Sequence, residues 1–170
     1  GLDNALAIAR DNSGNIYITG YAEDNGNKNI QTVKLNSTFG LVWVKNYDGD
    51  GLEDIANSIG VDSQNNIYIL GHTKKLNGGT DFILIKYDPS GNEVWTKKYK
   101  APNEFQSAVG HKLAIDSEDN IYCVGTIDNN GTKDYSIVKF HSGGKIRWET
   151  HYNGSGNGDD EPLDVNVDAS

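Results

Sequence analysis

The chain contains no Met, a single Cys and three Pro among 170 residues. With one thiol, Cys123, no internal disulfide can form, so nothing in the fold rests on a covalent staple. Its place in "NIYCVG" is the slot that Ile18 and Ile69 fill in two related segments, which reads as a small buried hydrophobe. No apolar stretch approaches the ~20 residues that a membrane-spanning helix needs. The four His (72, 111, 141 and 151) do not form a metal-binding pair of the HExxH kind. Basic residues are outnumbered 15 to 24, for a formal charge of −9, so no clustered Lys and Arg await a phosphate backbone and nucleic acid is not an expected partner. A first residue other than Met suggests a portion of a longer protein, and a chain of 18.6 kDa can bury roughly 70% of its unfolded surface as one domain.

What the chain has in abundance is repetition. "DNSGNIYITG" starts at Asp11, "DSQNNIYILG" at Asp62 and "DSEDNIYCVG" at Asp116, and a fourth Asp stands at 168, giving steps of 51, 54 and 52. Trp43, Trp95 and Trp148 are spaced by 52 and 53, and Lys34, Lys86 and Lys139 precede them by nine each time. A period near 52 kept by independent markers means stacked or radially arranged units.

Each unit reads as four short strands, here termed a to d. In the second unit these are "ANSIGVD", "NNIYILGHT", "DFILIKYD" and "EVWTKKYK", rich in β-branched and aromatic residues and separated by Asn, Asp, Gly, Ser and Pro. No segment keeps a 3.6-residue apolar period, so helix is nearly absent. The expectation is an all-β chain: a beta-propeller of four-stranded antiparallel blades, about three in this chain. Blades are expected over 3–50, 54–101 and 108–153, with the first strand of another over 160–170, all within a single partial domain, 1–170.

"DNALAIARDNSGNIYITG" followed by "KNIQTVKLNSTFGLVWVKNY" resembles the SBBP beta-propeller repeat, as do "EDIANSIGVDSQNNIYILG" and "DFILIKYDPSGNEVW". The third unit departs from it: Ala108 replaces an early Asp, and Asp119 a turn Gly. "YDPSGNEVW" also resembles the tryptophan repeat of quinoprotein propellers. The SBBP resemblance implies a repetitive, secreted or cell-surface propeller with no shared catalytic residues.

Spacing separates structural from functional positions. The distance from Asp to the final Gly (Gly20, Gly71, Gly125) is nine in every copy, whereas Gly-to-Lys distances are 14, 15 and 14 and Trp-to-Asp distances 19, 21 and 20. Length therefore varies only in the b–c and d–a connections, which antiparallel strands place at one end of a blade. Asp11, Asp62 and Asp116 read as turn residues, and the Trp residues, each followed four residues on by Tyr, as packing between blades. The Lys residues, set in apolar strands, are expected to be paired or to reach solvent.

Function is sought on the irregular end, because variable loops on a rigid scaffold are where binding sites lie. Its candidate ligand-binding residues are Asp24, Asn25, Lys74, Lys75, Asp128 and Asn129. Two d–a loops are acidic: Asp48, Asp50 and Asp54 in one, with Glu53 beside them, and Asp159 and Asp160 in the other, followed by Glu161; the intervening loop holds only Glu104. Calcium takes about six to eight oxygens, so these loops are weak candidate ligands, although the spacing is not that of an EF-hand. No cofactor is otherwise expected. The reading is a non-catalytic binding or scaffold module that recognises a protein or glycan, without a membrane span. The alternatives are a polysaccharide hydrolase or lyase and a structural spacer in a surface assembly. Three blades fall short of the usual four to eight, so further blades are expected, either from the same longer chain or from another copy.

Overall fold

The computed structural model describes residues 3–76, 78–100, 107–129, 131–156 and 158–168. Twelve strands form three sheets, and no helix occurs among the described residues. The first sheet comprises β1 (Asn4–Arg10), β2 (Ile16–Asp24), β3 (Asn27–Leu35) and β4 (Leu41–Tyr47). The second comprises β5 (Asp54–Val61), β6 (Ile67–Lys74), β7 (Thr80–Tyr87) and β8 (Glu93–Tyr99), and the third β9 (Ala108–Ile115), β10 (Ile121–Asn129), β11 (Thr132–Phe140) and β12 (Ile146–Tyr152). Each is a four-stranded antiparallel meander in chain order, consistent with a propeller blade; the three do not close into a ring. Blades are numbered in that order below. In the second unit the strands a to d of the sequence fall on β5 to β8 to within two residues at each end. The polar stretch around Asn25-Gly26 is paired up to Asp24↔Asn27, because both turn residues adopt positive φ (51° and 83°) and close a tight two-residue hairpin.

Residues 159–168 form no strand among the described residues. A strand needs a ladder, and among the described residues no second strand pairs with this segment.

Alternation along each strand puts one apolar row on either side of a sheet, and successive blades bury these rows against each other. Between blades one and two lie Tyr17, Ile30, Ile59, Ile67, Ile69, Ile83, Ile85 and Tyr87, with Trp43 and Tyr47 packed against them. Between blades two and three lie Tyr68, Leu70, Phe82, Leu84, Ile121, Cys123, Val138 and Phe140, with Trp95 and Tyr99 alongside. Cys123 is buried there as a hydrophobe, and burial pushes its thiol well above its ordinary range.

The ten-residue phrase has a structural meaning at both ends. At its start, Asp62 is a hub: one oxygen accepts the main-chain N–H groups of Gln64 (3.0 Å) and Asn66 (2.8 Å), and the other accepts Asn66 Nδ2 and Tyr68 OH. Asp11 repeats the set with Ser13, Asn15 and Tyr17, and Asp116 its main-chain part with Glu118 and Asn120. The turn position 14, 65 and 119 is left-handed in all three, with φ of 84°, 63° and 61°. Asp119, which stands where Gly would be free of strain, accepts Ser63 N and Oγ from the neighbouring blade at 2.9 and 2.7 Å, which offsets the conformation.

The final Gly faces a bulge. Strand a carries one extra residue in every blade: Leu6, Asn57 or His111, opposite the pairs Ala5↔Gly20, Ala56↔Gly71 and Gly110↔Gly125. The bulge pushes a carbonyl into the space a side chain would take, so a Cβ on Gly71 would lie 1.9 Å from Ile55 O. The same construction gives 1.8 Å at Gly20 and 2.1 Å at Gly125. Main chain cannot yield here as a side chain could. Gly71→Ala should therefore cost about 3 kcal/mol in urea denaturation, whereas Gly156→Ala, which meets nothing within 4 Å, should change stability by less than about 0.5 kcal/mol.

Candidate functional site

The irregular end of the stack is real and is cross-linked between units. Lys28 at the start of β3 pairs with Glu53 of the next d–a loop at 3.1 Å, and the same Glu53 pairs with Lys74 at 3.7 Å and lends its carbonyl to the Lys74 N–H at 2.9 Å. Asp128 N donates to Ser107 O at 2.7 Å within the third blade, which extends the β9–β10 ladder toward this end. The b–c and d–a connections thus emerge together, as the antiparallel order requires.

The six candidate residues divide by what they touch. Asp24 and Asn25 are exposed at the first b–c turn, and Lys74 is exposed beside Glu53. Lys75 is mostly buried and pairs with buried Asp81 at 3.4 Å. Asp128 accepts the Gly131 N–H at 3.0 Å, and Asn129 donates to buried Asp134 at 2.8 Å. These last three shape their loops, which leaves Asp24, Asn25 and Lys74 best placed to meet a ligand.

The acidic loops do not assemble a cation site: among the described residues no three His, Cys, Asp or Glu side chains converge. Asp48 Oδ1 accepts Gly51 N, Asp50 faces Lys98 at 3.4 Å, and Asp159 accepts Lys133 N at 3.0 Å. Asp54 and Asp160 perform one repeated task, accepting the Gly49 and Gly154 N–H groups at 2.7 Å each. Asp48, Asp54, Asp159 and Asp160 thus each accept a different main-chain N–H, while Asp50 faces a lysine. Glu104 lies outside the described residues.

Asp54 is the exception in its environment. It is fully buried, and its Oδ1, like the nearby Thr73 Oγ1, has no hydrogen-bond partner among the described residues. Burial raises its carboxyl above the usual range, against the lowering effect of the Gly49 N–H. An ionised form is thus disfavoured, and an amide of the same shape would donate where the carboxylate cannot. Asp54→Asn should raise stability at neutral pH by about 1 kcal/mol in urea denaturation; a loss that appears only with added calcium would instead assign Asp54 to a metal.

A constellation that spacing did not reveal joins blades two and three at this end. Asn57, the bulged residue, sends its Nδ2 across to Gly110 O at 2.8 Å and sits 3.4 Å from His72 Nδ1. The carbonyl dictates that the NH2 group faces it, so His72 meets an N–H donor and fits only as a neutral acceptor. Burial and then the nearby His111 hold His72 below its usual value, with Glu53 opposing. Burial likewise lowers His111; Lys133 and Lys112 act in the same sense, and Glu161 opposes. The one available signal was negative: His72 stands where Tyr21 and Thr126 do, and His111 where Leu6 and Asn57 do. A depressed folded pKa means that unfolded chains take up these protons first, so stability is complete above about pH 6.5 and declines as pH falls below it. The melting temperature should fall between pH 7 and pH 5, and His72→Gln, which has no proton to gain there, should flatten that slope.

Residues 49–76, which contain β5 and β6, match the SBBP beta-propeller repeat. No curated protein matches the chain. Among solved structures the chain is similar to a protein of unknown function from Bacteroides caccae, with 9% identity over 88% of this chain and a TM-score of 0.46. The chain spans 61% of that protein's length.

Proposed function

We propose that this chain, which carries the SBBP beta-propeller repeat, is a non-catalytic binding or scaffold module of a secreted or surface protein. It holds a protein or glycan ligand on the irregular end formed by the b–c and d–a connections. The observation that carries this reading is the division of labour among polar residues. Those that recur in every unit are engaged inside the fold: the Asp hubs in their turns, and Lys34 and Lys86 on main-chain carbonyls. The exposed polar residues around Asp24, Asn25 and Lys74, by contrast, differ between units. A face that varies while its support does not is suited to recognition. Asn, Asp and Lys side chains offer both donors and acceptors, which suits the hydroxyls of a glycan or the main chain of a protein.

The experiment is a glycan array and a pull-down with the whole chain, repeated with Asp24→Ala, Asn25→Gly and Lys74→Ala combined. The triple variant should keep its melting temperature within a few degrees and lose at least tenfold in affinity for whatever the parent binds. Unchanged binding by the variant would move the site off this end, and turnover of a polysaccharide by the parent would replace the reading with an enzymatic one.

A further inference from the structure

The outward side of blade three repeats the side that blade two buries. Val124, Tyr135, Ile137, Lys139, Trp148 and Tyr152 occupy the repeat positions of Leu70, Phe82, Leu84, Lys86, Trp95 and Tyr99. In blade two these residues lie under blade three; in blade three Trp148 and Tyr152 are 44% and 60% exposed.

Two polar groups on this side mark what is missing. Lys34 Nζ donates to Pro89 O at 2.8 Å, and the indole N–H of Trp43 lies 3.4 Å from the same oxygen. Lys86 Nζ and Trp95 Nε1 converge in the same way on Ser142 O, at 3.1 and 3.3 Å. In each case the acceptor is a main-chain carbonyl in the c–d turn of the following blade. Lys139 and Trp148 hold the same positions, but among the described residues neither meets such a carbonyl. Lys139 falls back on Tyr122 and on Asp116 at 3.5 Å.

The segment after blade three already begins this junction. Lys133 pairs with Glu161 at 2.9 Å as its repeat counterpart Lys28 pairs with Glu53 at 3.1 Å. Asp160 accepts Gly154 N as Asp54 accepts Gly49 N. Residues 161–164 line one open pocket together with Val124, Tyr135, Ser136 and Ile137, on the face of β10 and β11 that corresponds to the part of blade two against which β9 packs.

We propose that the outward side of blade three is a docking surface for a fourth blade of the same repeat, whose first strand is residues 160–168 and whose c–d turn presents a main-chain carbonyl to Lys139 Nζ and Trp148 Nε1. Continuity with the two existing junctions selects this occupant over a second copy of the chain. A second copy would have to bring its own β1 to the place that residues 160–164 hold. The blade docks in this way whatever the irregular end binds.

The test extends the whole chain in register: residues 1–168 followed by a repeat of residues 63–100, so that Asp168 takes the part of Asp62 and the copied Pro89 supplies the carbonyl. Acrylamide quenching of Trp148, isolated by difference with Trp148→Phe, should fall severalfold in the extended chain relative to the parent. The added residues should resist protease as the native blades do. Trp148→Phe, which keeps a ring but loses the N–H, should lower the melting temperature of the extended chain and leave that of the parent unchanged. Unchanged quenching, or rapid proteolysis of the added residues, would overturn the proposal. So would light scattering that shows the parent as a dimer with Trp148 protected, because a second copy would then be the occupant.

Discussion

One interaction sets the spacing of the stack: a Lys from an apolar strand whose ammonium reaches the next blade. An ammonium cannot be left bare between two sheets, since an unpaired buried charge costs several kcal/mol. Lys86 meets that demand on three sides, with Ser142 O at 3.1 Å, Asp62 at 3.7 Å and the face of Tyr68 at 4.9 Å. Two of these partners belong to its own blade and one to its neighbour, so the third contact is made only when the blades meet in one register. The tryptophan that shares the carbonyl adds area and a second donor, and its ring packs on the same tyrosine at 5.8 Å. Apolar rows alone would allow the sheets to slide; the shared carbonyl does not.

The turn network and the bulge serve this junction from either side. The Asp hub immobilises the tyrosine that lies beneath the ammonium. Burial alone would raise the Asp11 carboxyl, yet the bonds from Asn15, Tyr17 and Ser13 outweigh it and hold it below the usual range. At the other end of the phrase the bulge re-aims one side chain per blade, and in blade two that side chain, Asn57, is the one that crosses to blade three. Blade two thus carries a donor for its neighbour at both ends, Lys86 and Asn57.

Much of this was legible in the residues. Period, strand order, the constant and variable connections, the left-handed turn position and the structural role of the Asp, Lys and Trp series all follow from repetition. A residue required by the fold must recur wherever the fold recurs, which is why they could be read. The irregular end was legible as a place, but not in detail. Lys75, Asp128 and Asn129 each bond inside their own loops, which their polarity and position at loop ends did not announce. The acidic loops suggested shared coordination, whereas Asp48, Asp54 and Asp159 each accept a different main-chain N–H. Proximity along a chain does not say whether two side chains converge.

The sequence by itself determined that the chain is built from one repeated four-stranded unit and that its ends differ in regularity, because strand periodicity and hairpin length are local properties. Only the tertiary structure decided which groups meet across units. The carbonyls that Lys34 and Lys86 share with Trp43 and Trp95 are main-chain atoms some fifty residues away, and main chain leaves no trace in residue identity. For the same reason the recurrence of the glycine at the end of the phrase did not disclose its cause, which is spatial: what excludes a side chain there is a carbonyl of the bulged strand.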